Sequence, residues 1–406
     1  MSTPSSKTPS TQRLLDAVRG SLPDIRITAF DGCESGPEDA RTHISIVSPR
    51  ALVRIARAPR GLGLARAWVS GEIEVSGDVL HLADSEKTLA SPTSLAQILI
   101  TSARTARALG FEEFKAAGST AVEYRALRPG RHSVKRDLAE VDFHYGLSPR
   151  FYRHLLGPSL TYSGAMFEPG FTLEQAQARK HETICRKLEL DASSKVLDIG
   201  CGWGSFLLTA AEKCGSAGVG FTASRAQQEE SAKRLADHPR MSTQYGDYRT
   251  LLPRQSGITA VASIGMYEHV GEKNSPEFFR LVRSRLRPGQ RYLNQAILRR
   301  DTGARRLRTN SFTQRFIFPN GQLLSLSQQL RDVERAGFRV LSVESFGQHY
   351  ATTITHWIRN LQSAWDTVVD LEGEERARAW LMYLAGSYRR FRDGSIDVAQ
   401  VLSEAR

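Results

Sequence analysis

The chain has 406 residues, of which 40% are hydrophobic and 8% aromatic. That is enough to bury a core in more than one domain, and it excludes a disordered tail protein. Lys+Arg 55 against Asp+Glu 43 gives a formal charge of +12, which points to an anionic partner such as nucleic acid or a membrane surface. Cys33, Cys185, Cys201 and Cys214 have no C-x-x-C spacing and no flanking His cluster. This pattern argues against a metal site and a disulfide framework and fits a reducing cytoplasm. No apolar run approaches the roughly 18 residues of a membrane span, and the polar first residues lack a signal core.

In chain order, residues 1–12 are Ser-, Thr- and Pro-rich and predict a disordered tail. Residues 13–125 read as a small α+β domain. Ile44-Ser-Ile-Val47 and Ala51-Leu-Val-Arg-Ile55 lean to β, and residues 71–78 alternate apolar and polar before a turn. Residues 93–109 place Leu95, Ile98, Leu99, Arg104 and Arg107 at helical spacing. The basic Pro/Gly stretch 126–135 predicts a linker, and 136–406 reads as one larger α/β domain. Two arginine clusters stand out: Arg299, Arg300, Arg305, Arg306 and Arg308, and then Arg389, Arg390 and Arg392.

The most informative motif is Lys195-Val-Leu-Asp-Ile-Gly-Cys-Gly-Trp-Gly-Ser-Phe206. An apolar strand runs into a glycine turn, and a helix follows from about Gly204. Gly200 and Gly202 let the backbone approach a ligand without a Cβ in the way, at the strand end where open α/β sheets bind ligands. A dinucleotide fingerprint would need glycine where Ser205 stands. Asp198-x-Gly200-x-Gly202-x-Gly204 is instead the S-adenosylmethionine motif of class I methyltransferases. Further strands are expected at 217–222, before Tyr245 and at 260–265, with Ser224 capping a helix through Gln227. Asp247 is placed to accept from the adenine amino group. Phe221 or Thr222 stands where an acid holds the ribose in other members. The fold class is therefore α/β, a Rossmann-like doubly wound methyltransferase sheet with a smaller α+β N-terminal domain.

Several stretches together resemble the cyclopropane fatty acid synthases and mycolic acid cyclopropane synthases. They are His144-Tyr-Gly-Leu-Ser148, Leu160-Thr-Tyr-Ser-Gly-Ala-Met-Phe167, the glycine motif, Ser263-Ile-Gly-Met-Tyr-Glu-His-Val-Gly271, Phe316-Ile-Phe-Pro-Asn-Gly321, and Phe346-Gly-Gln-His-Tyr350 with Trp357. The first domain looks like the lipid-associated N-terminal domain of the phospholipid-acting bacterial branch. The resemblance implies that Tyr162, Ser163, Thr222, Gln227, Asp247 and Tyr248 complete the cofactor site with Asp198, Gly200, Gly202 and Gly204. It also implies a bicarbonate ion held as general base by a Cys, a Glu, a His and a Tyr. Glu268 and Tyr350 match two of these positions, while Gly164 and Gln295 replace the Cys and the His, and Ser387 replaces a further cysteine.

Methyl transfer to an alkene needs an aligned, dry pocket. The cation it leaves can be stabilised by aromatic faces, for which Tyr267, Phe316, Phe318, Tyr350 and Trp357 are candidates. The cation must then lose a proton. Glu268 is the carboxylate expected to take it, with Tyr350 and Gln295 beside it, and His269 is expected to face away on an extended chain. The expected activity is methylation of the double bond of an unsaturated phospholipid acyl chain at an anionic membrane surface, on its cytoplasmic side. An incomplete bicarbonate cage favours delayed proton loss and a methylene-branched product, which a separate flavin- or nicotinamide-dependent reductase would convert to a methyl-branched acid such as 10-methylstearate. Cyclopropane synthesis is the alternative, followed by methylation of another substrate such as RNA and by a non-enzymatic lipid-binding role. The bacterial branch implies a homodimer, and neither a metal nor a nucleic-acid partner is expected.

Overall fold

The structure is a computed structural model that describes residues 9–20, 22–58, 61–85, 92–124, 133–300, 311–319 and 321–406. The chain divides into two compact units. One comprises 1–125, 310–317 and 373–389; the other comprises 126–309, 318–372 and 390–406.

The smaller unit carries a four-stranded sheet ordered β2-β1-β3-β4, built from β1 (Ile25–Ala29), β2 (Glu34–Ser35), β3 (Thr42–Ile46) and β4 (Ile73–Gly77). β1 and β3 are parallel, and the other pairs are antiparallel. The expected β character of Ala51–Ile55 is overturned, because these residues lie in the helix Arg50–Arg57. Pro49 precedes the first turn with φ −61°, a helical value its ring favours, and Ala51, Leu52 and Val53 become buried. The helix Pro9–Arg19 begins inside the expected disordered tail; residues 1–8 lie outside the described residues. Residues 93–109 are helical within Pro92–Ala116, whose backbone leaves helical geometry at Gly110.

This unit is not the single stretch 13–125 that the sequence suggested. Trp68 Nε1 donates to the Arg378 carbonyl at 2.9 Å, and the Tyr124 amide donates to the Arg315 carbonyl at 2.7 Å. Residues 310–317 and 373–389 are thus tied into it. The expected linker, 126–135, overlaps the helix Val134–Tyr145 at its end, and its residues 126–132 lie outside the described residues.

The larger unit holds a seven-stranded sheet ordered β10-β11-β9-β8-β5-β6-β7. Its strands are β5 (Lys195–Ile199), β6 (Ala217–Thr222), β7 (Met241–Tyr245), β8 (Ala260–Ile264), β9 (Arg291–Arg299), β10 (Phe338–Ser345) and β11 (Ile396–Ala405). β5 to β9 pair in parallel, and β11 is antiparallel to both β9 and β10. Val196, Leu197 and Ile199 of β5 are buried because helices cover both faces of the sheet. Val196 packs with Ile184 and Cys185 of the helix Leu173–Lys187, whereas Leu197 and Ile199 pack in the core that holds Phe278, Phe279 and Val333. Strand order reverses between β5 and β8, and the crevice beyond their carboxyl ends is the position where such sheets bind ligands.

Candidate active site

At the end of β5 the backbone enters the left-handed region at Gly200 (φ 85°) and Gly202 (φ 52°). A Cβ on Gly200 would stand 2.6 Å from the Met266 Cβ, so the turn needs glycine there. A Cβ on Gly202 would meet only the Gln227 amide nitrogen, at 4.0 Å, so this position opens into space. Beyond the turn lies a cavity of about 140 Å³. All the expected cofactor residues line it except Gly204: Tyr162, Ser163, Asp198, Gly200, Gly202, Thr222, Gln227, Asp247 and Tyr248. Gly204 instead precedes the helix Ser205–Cys214 and packs toward Ser231, so its part is positioning.

Burial pushes the Asp198 carboxyl up to about 7, opposed by the Lys180 charge. Its Oδ1 is buried with no hydrogen-bond partner among the described residues. Thr222 donates to Gln227 Oε1 at 2.7 Å, and Ser224 caps the helix Arg225–Arg234. Asp247 caps the short helix Tyr248–Leu251, and its carboxylate is gripped by Arg249 at 2.5–2.8 Å, which also pairs with Asp137 at 2.6 Å. Sequence reasoning missed Asp137, Arg249, His181 and His269, all of which line the cavity. It also missed Lys180, which lies buried behind Ser163. The signal for His181 and Lys180 was a group of polar residues on the buried face of the helix Leu173–Lys187.

Glu268 sits in a single 3₁₀ turn, Tyr267–His269, just past β8. Oε1 accepts the Ile297 amide at 2.6 Å, while Oε2 is buried without a partner among the described residues. Burial raises its carboxyl to about 7. The expectation for His269 is corrected. The chain there is a tight turn rather than extended, so alternation does not apply, and His269 lines the cavity as a neutral ring held near 4 by burial.

Tyr350 packs its ring directly onto Gly164: a Cβ at 164 would stand 2.9 Å from Tyr350 Cγ. Glu268, Tyr350 and Gln295 all lie outside the lining of this cavity. Gln295 Oε1 accepts from Gln400 at 3.0 Å, and Gln400 accepts from Lys187 at 2.7 Å. Gln295, expected at the reacting centre, thus links β9 to β11 through its side-chain oxygen. A bicarbonate cage does not fit these residues, because the Cys position is filled by the Tyr350 ring and the His position is engaged elsewhere.

Aromatic side chains extend from the cavity. Tyr162 lies 5.6 Å from the His144 ring and 5.3 Å from Trp357; His144 contacts Phe318 at 3.8 Å, and Trp357 meets Tyr350 edge-on at 5.9 Å. Two of the expected aromatics are not part of this wall. Tyr267 is core, packed on Phe279 with its hydroxyl on Ser275, and Phe316 belongs to the smaller unit and stacks on Phe312.

The family model described as mycolic acid cyclopropane synthetase matches residues 132–401. The chain belongs to this family. It is 34% identical to "Probable fatty acid methyltransferase Rv3720" of Mycobacterium tuberculosis, over 93% of this chain and 90% of that protein. It is 32% identical to the cyclopropane-fatty-acyl-phospholipid synthase of Escherichia coli, over 64% of this chain and 66% of that protein. Among solved structures, mycolic acid cyclopropane synthase CmaA1 complexed with SAH and CTAB is 30% identical. That match covers 69% of this chain and all of that one, with a TM-score of 0.62. As a cyclopropane synthetase family member, the chain is an S-adenosylmethionine-dependent methyltransferase with the class I fold. The open glycine turn and the unpaired Asp198 oxygen fit that cofactor.

Proposed function

We propose that this enzyme methylates the double bond of an unsaturated phospholipid acyl chain and leaves a methylene-branched chain. The observation that carries the product is the Tyr350 ring seated on Gly164, with Gln295 turned to Gln400. Without an ion cage, the base is Glu268 itself, whose buried and unpaired Oε2 is poised near neutral pH. S-adenosylmethionine supplies an electrophilic methyl group when bound. Gly200, Gly202, Asp198 and Asp247 hold and orient it, and the aromatic wall from Tyr162 to Tyr350 steadies positive charge on the alkylated acyl chain. When proton loss is delayed, a hydride shift first moves the positive charge to the methyl-bearing carbon; Glu268 then takes a proton from that methyl group and leaves an exocyclic methylene. A separate reductase would then saturate it.

Cyclopropane formation is the second reading, favoured by the names of the relatives above; the family assignment sets aside RNA as substrate. Proton NMR of lipid methylated by the purified enzyme tests the choice. Vinylidene signals support the methylene product, and upfield ring-methylene signals without them would refute it.

Peripheral docking on an anionic membrane belongs to the same reading. Among the described residues no helix is long and apolar enough to cross a membrane. The helix Pro92–Ala116 is inverted, however. Gln97, Thr101, Ser102 and Thr105 are buried or half-buried, while Leu99, Ile100, Ala103, Arg104 and Arg107 are exposed. An exposed arc of apolar residues and arginines, with no acid between residues 92 and 111, suits anionic headgroups over an acyl boundary.

A further inference from the structure

Lys180 is fully buried on the helix Leu173–Lys187, yet the oxygens it touches are neutral. Its Nζ donates to Ser163 Oγ at 2.7 Å and to Gln177 Oε1 at 2.8 Å. An ammonium has donors and no acceptor, so both contacts have one direction only. Gln177 must present its oxygen to Lys180, and its Nε2 then reaches the carbonyls of Ser163 at 2.9 Å and Thr161 at 3.4 Å. The segment held in this way starts at Leu160, whose backbone lies in the left-handed region (φ 52°) and which lines the cavity. Such a conformation persists only where its surroundings enforce it: the Leu160 amide donates to the Gly157 carbonyl, Ser205 and Arg234 hold the Ser159 carbonyl, and Gln177 with Lys180 holds the residues that follow.

The same directionality acts on Ser163. Its oxygen accepts from Lys180, so its own hydrogen is not spent there, and Ser163 lines the cavity. A hydroxyl fixed as a donor beside a buried cation suits an anion, while the unpaired Asp198 oxygen nearby suits a cation. We propose that Lys180 is a positioning residue that turns the Ser163 hydroxyl into a carboxylate donor, so that the cavity selects the amino-acid end of its cofactor. The proposal rests on the cofactor assignment above and names the residue that gives this part of the site its polarity. Burial pulls the Lys180 ammonium well below its usual range, and the Asp198 carboxylate opposes that shift.

The test compares two ligands by calorimetric titration of the full chain: S-adenosylhomocysteine, and 5′-methylthioadenosine, which lacks the amino-acid end. Lys180→Met should weaken S-adenosylhomocysteine binding about thirtyfold, the scale of a charge-assisted hydrogen bond, and leave methylthioadenosine within about twofold. Ser163→Ala should show the same selective loss, and the double variant should lose no more than either single one. Ser163→Ala also keeps the proposal testable should Lys180→Met not fold. Equal losses for both ligands would mean that Lys180 only supports the fold, and that would overturn the proposal, as would unchanged S-adenosylhomocysteine affinity in Ser163→Ala. A wild-type chain that binds neither ligand would overturn the cofactor assignment and the proposal with it.

Discussion

The pH behaviour of Glu268 follows from its burial with no charged partner at hydrogen-bond distance among the described residues. Its carboxyl is raised from 4.5 to about 7 because burial opposes the charged form and only the Ile297 and Glu268 amides help it. As a base it must be ionised, so the turnover rate should rise through an apparent pKa near 7 and flatten above it. Glu268→Gln should lower the turnover number by at least about a hundredfold, the usual weight of a general base, with S-adenosylhomocysteine affinity within a few fold of wild type. A large loss of ligand affinity would instead make Glu268 a cofactor contact. Stability has the opposite sign. The folded state holds this proton more tightly than the unfolded chain does, so stability falls as pH climbs from about 4.5 to 7. The gap corresponds to on the order of 3 kcal/mol. Glu268→Gln should therefore raise the melting temperature at pH 8 and change it little at pH 4.5.

Gly202 gives a second residue-scale prediction. A side chain there meets open space in the ligand-free fold but sits at φ 52° and fills the cavity. Gly202→Val should abolish detectable S-adenosylhomocysteine binding while a cooperative melt survives, at a cost of about 1–2 kcal/mol for the backbone conformation. A folded variant with unchanged affinity would sink the cofactor assignment.

At the scale of elements, what could be read from the sequence was strong local chemistry. β5 to β8, the glycine turn and the Ser224 cap were legible because apolar runs, glycines and a capping serine act within a few residues. Ala51–Ile55 was misread because β-branched residues carry no information about a helix imposed by Pro49 and by burial. His269 was misplaced because a 3₁₀ turn was taken for extended chain. The fates of Gly164 and Gln295 depended on partners 186 and 105 positions away, Tyr350 and Gln400, which no local pattern announces. The inverted helix Pro92–Ala116 yields a prediction of its own. Leu99→Glu with Ile100→Glu should reduce binding to anionic phospholipid vesicles at least about tenfold in a co-sedimentation assay. Activity on the same lipid dispersed in detergent should stay near wild type. Arg305, Arg306 and Arg308, which also pointed to a membrane from sequence, lie outside the described residues, and their neutralisation is a parallel arm of that assay.

At the scale of the molecule, the two units interleave along the chain. Arg378 joins Trp68 through its carbonyl and Glu74 through its guanidinium at 3.2 Å, and Tyr388 reaches Asp84 at 3.4 Å. A fragment ending at residue 125 lacks all these partners, and it should show no cooperative thermal transition by circular dichroism. A sharp melt of that fragment would show that the later segments are dispensable. The net charge of +12 leaves the whole chain strongly cationic, so its association with anionic surfaces should weaken as salt rises.

β11 follows β10 in the chain but lies between β10 and β9 in the sheet. While the protein is being made, β10 therefore leaves the ribosome before the strand that gives it a place. β9 meanwhile presents an open hydrogen-bonding edge beside Gln295, and the five strands that shape the cavity can already be paired. Assembly thus has a natural order, with the pocket first and the antiparallel border last. A nascent chain arrested just short of Ile396 would be the aggregation-prone species, since it carries a formed pocket and an unsealed edge.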